Sequence, residues 1–229
     1  MQKNNCSSGE RIYDEIKKEI MFLELLPGQN VNEGETAERF SVSRTPVRDA
    51  FRLLEMKGLI EVKRGRGTFV SLINIDELDD IIYMRRILET AVVREIGELS
   101  TAQEVRLRLL LSEQRALLDS GLDDTGLAKK FLELDNELHG ALFQLANKDT
   151  VWTRISGDSP HYNRLRVLTN LYDKKALEKL YQEHVQIVEA IKRGEHAGLE
   201  EFYRTHLYGG MDKLSQIVGK NREFFTGNL

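Results

Sequence analysis

Between residues 59 and 72 the chain reads LIEVKRGRGTFVSL, and the spacing of its apolar residues changes from helical to alternating. Ile60 and Val62 alternate, RGRG supplies a turn and Phe69 lies beyond it, which predicts a two-stranded hairpin with a basic, glycine-rich tip. What precedes it is helical. Residues 10–24 put Ile12, Ile16, Ile20 and Leu23 at helical spacing, and Pro27-Gly28 marks a turn. A short helix fits 33–40, SVS breaks it, and a second helix fits 44–57 with Val47, Ala50, Phe51 and Leu54 facing inward. Pro46 is tolerated because the first helical turn has no N–H partner to lose, and Gly58 ends the helix. Helix, helix, short break, helix and basic hairpin is the order of a winged helix-turn-helix.

The remainder predicts a different architecture. INID (73–76) is a short link, after which helical periodicity runs almost unbroken to 218. Helices fit 76–99, 101–120, 125–147, 149–157, 160–171, 174–193 and 197–218, giving an antiparallel all-α bundle of six or seven helices. The fold class is therefore mainly α, with a winged helix-turn-helix domain at 1–72 and a helical domain at 73–229. The tail GKNREFFTGNL is expected to fray. No apolar run approaches the roughly 20 residues of a spanning helix, so no membrane partner is expected. The start of the chain has no apolar core of a secretory signal. The single cysteine, Cys6, cannot form an internal disulfide, which fits the cytoplasm, and it is given no role.

Net charge is −4, which does not by itself announce a nucleic-acid binder, but residues 39–66 carry 8 basic against 3 acidic side chains. Ser43, Arg44, Thr45 and Arg48 cluster at the start of the second helix of the motif, the end that faces base edges in helix-turn-helix proteins. An arginine fork matches guanine O6 and N7 together, while hydroxyls suit phosphate. In the hairpin tip, Arg64, Gly65 and Arg66 combine charge with close backbone approach, suited to phosphate or minor-groove contact.

All five histidines fall in the helical half. His161, after Pro160, and His196, in GEH, are expected to be exposed. His184 lies on the apolar stripe Leu177, Leu180, Ile187, Val188 and Ile191, and His206 on the stripe Leu199, Phe202, Leu214 and Ile217. In LDNELHGALF (134–143), Asp135 and His139 stand one helical turn apart, so both can reach the same ion. A single inward histidine reads more readily as a hydrogen-bonded core residue. Three of them with a carboxylate, on three helices, leave metal centre and core histidines as equal readings. Three imidazoles and one carboxylate suit Zn, Ni, Fe or Mn better than Ca, and an octahedral ion would keep two positions open. Arg85 is misplaced in the same way, on the stripe of Leu78, Ile81, Leu88, Val92 and Leu99. It can pair with Glu89 or bind an anionic effector. Arg166 is a second effector candidate, one turn after Tyr162, and Arg86 is expected to face outward.

The motifs GERIYDEIKKEI, LLPGQNVNE, AERFSVSRTPVRDAFRLLEMKGLIEV and KRGRGTFV resemble the N-terminal domain of GntR-type bacterial transcription regulators over about 60 residues. Thr36 stands where that family usually has a leucine, and Asp49 where it often has a glutamate. Residues 76–215 resemble the FadR-type effector domain, FCD. Many members carry a D-x-x-x-H and two later histidines, and Asp135, His139, His184 and His206 match those positions. The resemblance implies a divalent ion whose coordination a small carboxylate completes, with an arginine near the effector where Arg85 stands. Members that bind acyl-CoA lack the full set.

The resulting expectation is a cytoplasmic, homodimeric regulator. It would bind a short inverted repeat in double-stranded DNA and respond to a small carboxylate at a divalent metal, with repression relieved by the effector. The alternative is a metal-dependent enzyme using the same His/Asp site, although no nucleophile or general base stands beside the four ligands in any motif.

Overall fold

The computed structural model describes residues 7–157, 160–172, 174–195, 197–209 and 213–227. Cys6 and His196 lie outside the described residues. The chain forms two compact units, one of residues 1–75 with 221–229, the other of residues 76–220.

In the first unit, α1 (Ser8–Met21) starts with a capping box in which Ser7 and Glu10 each satisfy the other's backbone N–H. Its inward face, Ile12, Ile16 and Ile20, packs on α3 (Arg44–Met56) through Val47, Ala50, Phe51 and Leu54. Full burial of each larger side chain is worth about 1.5–3 kcal/mol, so this seam outweighs any local propensity. Between them α2 (Glu33–Phe40) is capped by Asn32, whose side chain accepts from Gly34 and Glu35 N–H. It ends on Ser41 in the left-handed region (φ 53°), with Val42 N–H closing back on Ala37 O. That reversal is the turn of the helix-turn-helix. Thr36 is half-buried there.

Strand β2 (Ile60–Lys63) pairs antiparallel with β3 (Gly67–Val70), and β1 (Asn30–Val31) adds to the other side of β3. The wing is thus the outer hairpin of a three-stranded sheet. At its tip Arg66 N–H bonds Lys63 O, and Gly65 has φ 70°, the positive angle a type II turn needs at its third residue.

The tail differs from expectation. Strand β5 (Phe225–Thr226) pairs in parallel with β4 (Ile73–Asn74), and Phe225 is buried beside Ile73. Apolar burial of that ring offsets the cost of ordering the segment.

The second unit is helical: α4 (Ile75–Glu95), α5 (Thr101–Leu118), α6 (Asp124–Leu145), α7 (Asp149–Gly157), α8 (Pro160–Tyr172), α9 (Lys174–Arg193), α10 (Leu199–Tyr208) and α11 (Leu214–Lys220). The helix expected over 197–218 is two helices, because α10 is capped at Gly209, whose N–H bonds Thr205 O. Helix α6 is the hub. It packs against α5, α7 and α8, while α9 packs against α5 and α8. Leu127, Phe131, Asp135, Leu138 and Leu142 are buried on one face of α6, and Ala128, Leu132, His139 and Phe143 are buried beside them. No helix among the described residues is long and apolar enough to cross a membrane.

Candidate metal centre and nucleic-acid interface

Ser43 begins α3 without a side-chain cap bond, so its hydroxyl is not committed to the helix it starts. Ser43, Arg44, Thr45 and Arg48 are all exposed at this end, as are Arg64, Gly65 and Arg66 at the wing tip. Arg48 Nε donates to Glu33 Oε2 at 2.9 Å across the motif. Both side chains are solvated, so that pair contributes little and can be exchanged for another acceptor. Arg44, Arg64 and Arg66 have no carboxylate partner among the described residues.

In the helical unit, α6, α9 and α10 bring His139, His184 and His206 together, each at most 5% exposed. One ring nitrogen of each lies within 4.8 Å of the others. His206 Nε2 is 3.3 Å from His139 Nε2. Asp135 joins them, with Oδ1 3.4 Å from His184 Nε2 and Oδ2 3.7 Å from His139 Nε2. All four residues of the expected ligand set therefore meet at one point.

The opposite edges of the rings fix their chemistry. His139 Nδ1 lies 2.6 Å from Glu89 Oε2, His206 Nδ1 2.7 Å from Glu183 Oε2, and His184 Nδ1 2.8 Å from Gln114 Oε1. The Gln114 amide is oriented because its nitrogen donates to Leu134 O. Each outer partner is an acceptor, which favours the tautomer with the proton on Nδ1 and leaves Nε2 to face the centre, and the His139–Glu89 contact is close without being aligned as a hydrogen bond. Burial lowers the pKa of His184 and keeps it neutral. Burial raises the Asp135 carboxyl, but the Arg166 charge and the neighbouring histidines outweigh it and hold the group well below the usual range. Lone pairs and a carboxylate facing one another in an apolar core repel, and His184 Nε2 has no hydrogen-bond partner. The donor set fits a transition-metal ion, and the outward Nδ1 contacts are the ones that orient metal-binding histidines.

Sequence reasoning did not place Gln114 and Glu183, and it took Glu89 only as a possible partner of Arg85. Gln114 had the same signal as the histidines, a polar residue three before Leu117 and seven after Leu107 on a buried stripe. Glu183 had none, since a charged neighbour of an inward histidine reads as solvated.

Beside the centre lies a cavity of about 50 Å³ lined by Arg85, Asp135, His139, Tyr162, Arg166 and His206, among others. Arg166 donates to Asp135 and, at 2.9 Å, to Asn136 Oδ1. Arg85 Nε donates to Glu89 Oε1 at 2.6 Å, and its guanidinium stands over the rings of Tyr162 and Trp152. Its Nη2 is buried with no partner. Both expected effector arginines thus face the cavity, and Arg85 also makes the Glu89 pair. Arg86 is half-buried and pairs with Glu200 at 2.9 Å.

His161 departs from expectation. Its side chain is only 12% exposed, with Nδ1 3.0 Å from Arg164 Nη2 and Nε2 3.3 Å from Glu77. Helix α8 folds its first turn inward, because fully buried Arg164 anchors it there.

Residues 8–70 match the gntR family of bacterial regulatory proteins, and residues 80–209 match the FCD domain. The chain is 29% identical over 220 residues to the HTH-type transcriptional repressor RspR of Escherichia coli, covering 95% of this chain and 93% of that one. It is 30% identical over 226 residues to an HTH-type transcriptional regulator of Streptomyces ambofaciens, covering 98% and 92%. In fold it is similar to E. coli McbR/YncC, with a TM-score of 0.74, 19% identity and 92% and 98% of the two chains covered. These relationships do not favour the reading as a metal-dependent enzyme. With the reading head on one unit and the buried polar centre on the other, the chain belongs to the GntR family of bacterial DNA-binding transcription regulators, in the group that carries an FCD domain.

Proposed function

We propose that this regulator senses a small carboxylate through a divalent transition metal (Zn, Ni, Fe or Mn) held by Asp135, His139, His184 and His206. The observation that carries it is the shared orientation of three buried imidazoles, each Nδ1 turned to an outer acceptor and each Nε2 turned inward. The ion would supply positive charge and open coordination positions for a carboxylate. Arg85, whose Nη2 lacks a partner, and Arg166 anchor the anion from the cavity wall.

Residues 1–72 serve as the DNA-binding domain, against which the end of the chain returns through β5, and the helical residues 76–220 serve as the effector and dimerisation domain. Ser43, Arg44, Thr45 and Arg48 read the major groove, while Arg64, Gly65 and Arg66 follow the backbone. A homodimer in the cytoplasm binds a short inverted repeat, since two-fold symmetry of protein and operator go together. The name of the E. coli relative RspR, a transcriptional repressor, supports repression as the sense of regulation, which the effector would relieve. Control needs only that the effector bind the DNA-free arrangement more tightly than the DNA-bound one.

The test is elemental analysis of purified protein, then operator-fragment binding with and without a panel of small carboxylates, in metal-loaded and chelated protein. About one transition metal per chain and release only in the loaded form are expected. No bound metal after metal addition would sink the reading.

A further inference from the structure

Glu89 meets two groups inside the core, Arg85 through a hydrogen bond and His139 through a close charge contact that is not aligned as one. Oε1 accepts from Arg85 Nε at 2.6 Å, and Oε2 lies 2.6 Å from His139 Nδ1. The residue is 1% exposed, so solvent screens neither contact. Arg85 lines the cavity, and its guanidinium is held between Tyr162 and Trp152 with Nη2 unpartnered. His139 presents its other nitrogen to the cage. One carboxylate therefore stands between the cation that faces the cavity and the imidazole that faces the ion.

We propose that Glu89 is a positioning residue that couples anion binding at Arg85 to metal binding at His139. The inference rests on the metal reading above and adds the route between its two halves. A carboxylate shared by two donors gives less of its charge to each. An anion seated on Arg85 takes up guanidinium charge, which leaves more of the Glu89 charge on the His139 N–H. A more polarised Nδ1–H makes Nε2 a stronger donor to a metal, because outer carboxylates raise the basicity of metal-bound histidines. By linkage the ion in turn favours the anion by the same factor. The coupling requires no backbone movement, only redistribution around one buried carboxylate.

The test uses the full chain and Zn²⁺ alone, with affinity read by competition against a chromophoric chelator. Arg85→Met stands in for a neutralised arginine. Glu89→Gln is expected to weaken Zn²⁺ binding about 10–100-fold. Arg85→Met should strengthen it about fivefold or more, and that gain should shrink to less than half in the Glu89→Gln background. A gain of equal size in both backgrounds would mean Arg85 acts on the ion directly, and the proposal is overturned. Wild-type protein that binds no Zn²⁺ would overturn the metal reading and this proposal with it. Should Glu89→Gln fail to fold, Arg85→Met alone decides. The His139 Nδ1 proton in ¹⁵N-histidine NMR of metal-free protein should move downfield relative to wild type, and an unmoved resonance refutes the coupling.

Discussion

His206 Nε2 stands 3.3 Å from His139 Nε2, while the second nitrogen of each ring faces a carboxylate oxygen. With both protons on the outer nitrogens the two inner nitrogens could not hydrogen-bond to each other, whereas a proton on one inner nitrogen would bridge them at 3.3 Å. Metal-free protein must therefore tolerate facing lone pairs or move a proton inward. A bound ion removes the conflict, so stability and metal occupancy are linked through the cage.

The first prediction concerns that linkage. A ligand at one hundred times its Kd stabilises the native state by about 2.7 kcal/mol. For a domain of this size that raises Tm by roughly 5–10 °C. Zn²⁺ added to chelated wild-type protein should give such a rise in scanning calorimetry, and His184→Ala should abolish it. An identical rise in the variant, or none in wild type, would leave His184 as a core residue hydrogen-bonded to Gln114.

The second concerns DNA. Arg48→Ala should weaken binding to a specific operator far more than to random DNA, and equal losses would reduce Arg48 to a phosphate contact. Glu33 holds Arg48 in the free protein, so Glu33→Gln should strengthen binding a few-fold. Replacing Arg64 and Arg66 together should lower the slope of log K against log salt by about two. Fluorescence anisotropy at several salt concentrations measures all three effects.

The third concerns the support of the cage. Trp152 stacks on His139 with ring centroids 6.1 Å apart, and a Cβ on Gly140 would lie 2.7 Å from Trp152 Nε1. A methyl there forces the indole away from His139 and Arg85. Gly140→Ala should destabilise the protein by about 1–3 kcal/mol and weaken Zn²⁺ binding together. A stable variant with wild-type affinity would mean the indole has no part in orienting the ring.

The helix-turn-helix and wing were legible because each element has a local cause: helical stripes, a proline in a first turn, glycines at the tip. The inward placing of His184 and His206 was legible because each lies on an apolar stripe, and Asp135 and His139 joined them through their one-turn spacing beside a leucine seam and the family resemblance. Glu183 was not, since it follows no stripe and meets His206 only when α9 and α10 pack. The tail was misread for a related reason. A two-residue strand has no period, and Phe225 finds Ile73 about 150 positions away only in the folded chain. His161 looked exposed because it follows Pro160 at a helix start, whereas its environment is set by Arg164 one turn on and by Glu77 of another helix.

That environment gives the last prediction, a pH dependence. Burial and then the Arg164 charge push the His161 pKa down to about 4, against the opposing pull of Glu77. Nδ1 must stay unprotonated to accept from Arg164 Nη2. In the unfolded chain the ring takes up its proton near pH 6.5. Between those values the unfolded state binds a proton that the folded state refuses, so stability is full above pH 6.5 and declines as pH falls toward 4. The decline from this group is at most about 3 kcal/mol. His161→Gln keeps an acceptor for Arg164 but does not titrate. Compared in chelator, so that the cage is metal-free in both proteins, wild type should lose more stability than the variant between pH 7.5 and 5. Glu89, held at about 2 against burial by Arg85 and His139, acts only below pH 4.5 and leaves this window clear. Parallel pH profiles for the two proteins would show that His161 takes up its proton as readily folded as unfolded, so that burial and Arg164 do not hold it down.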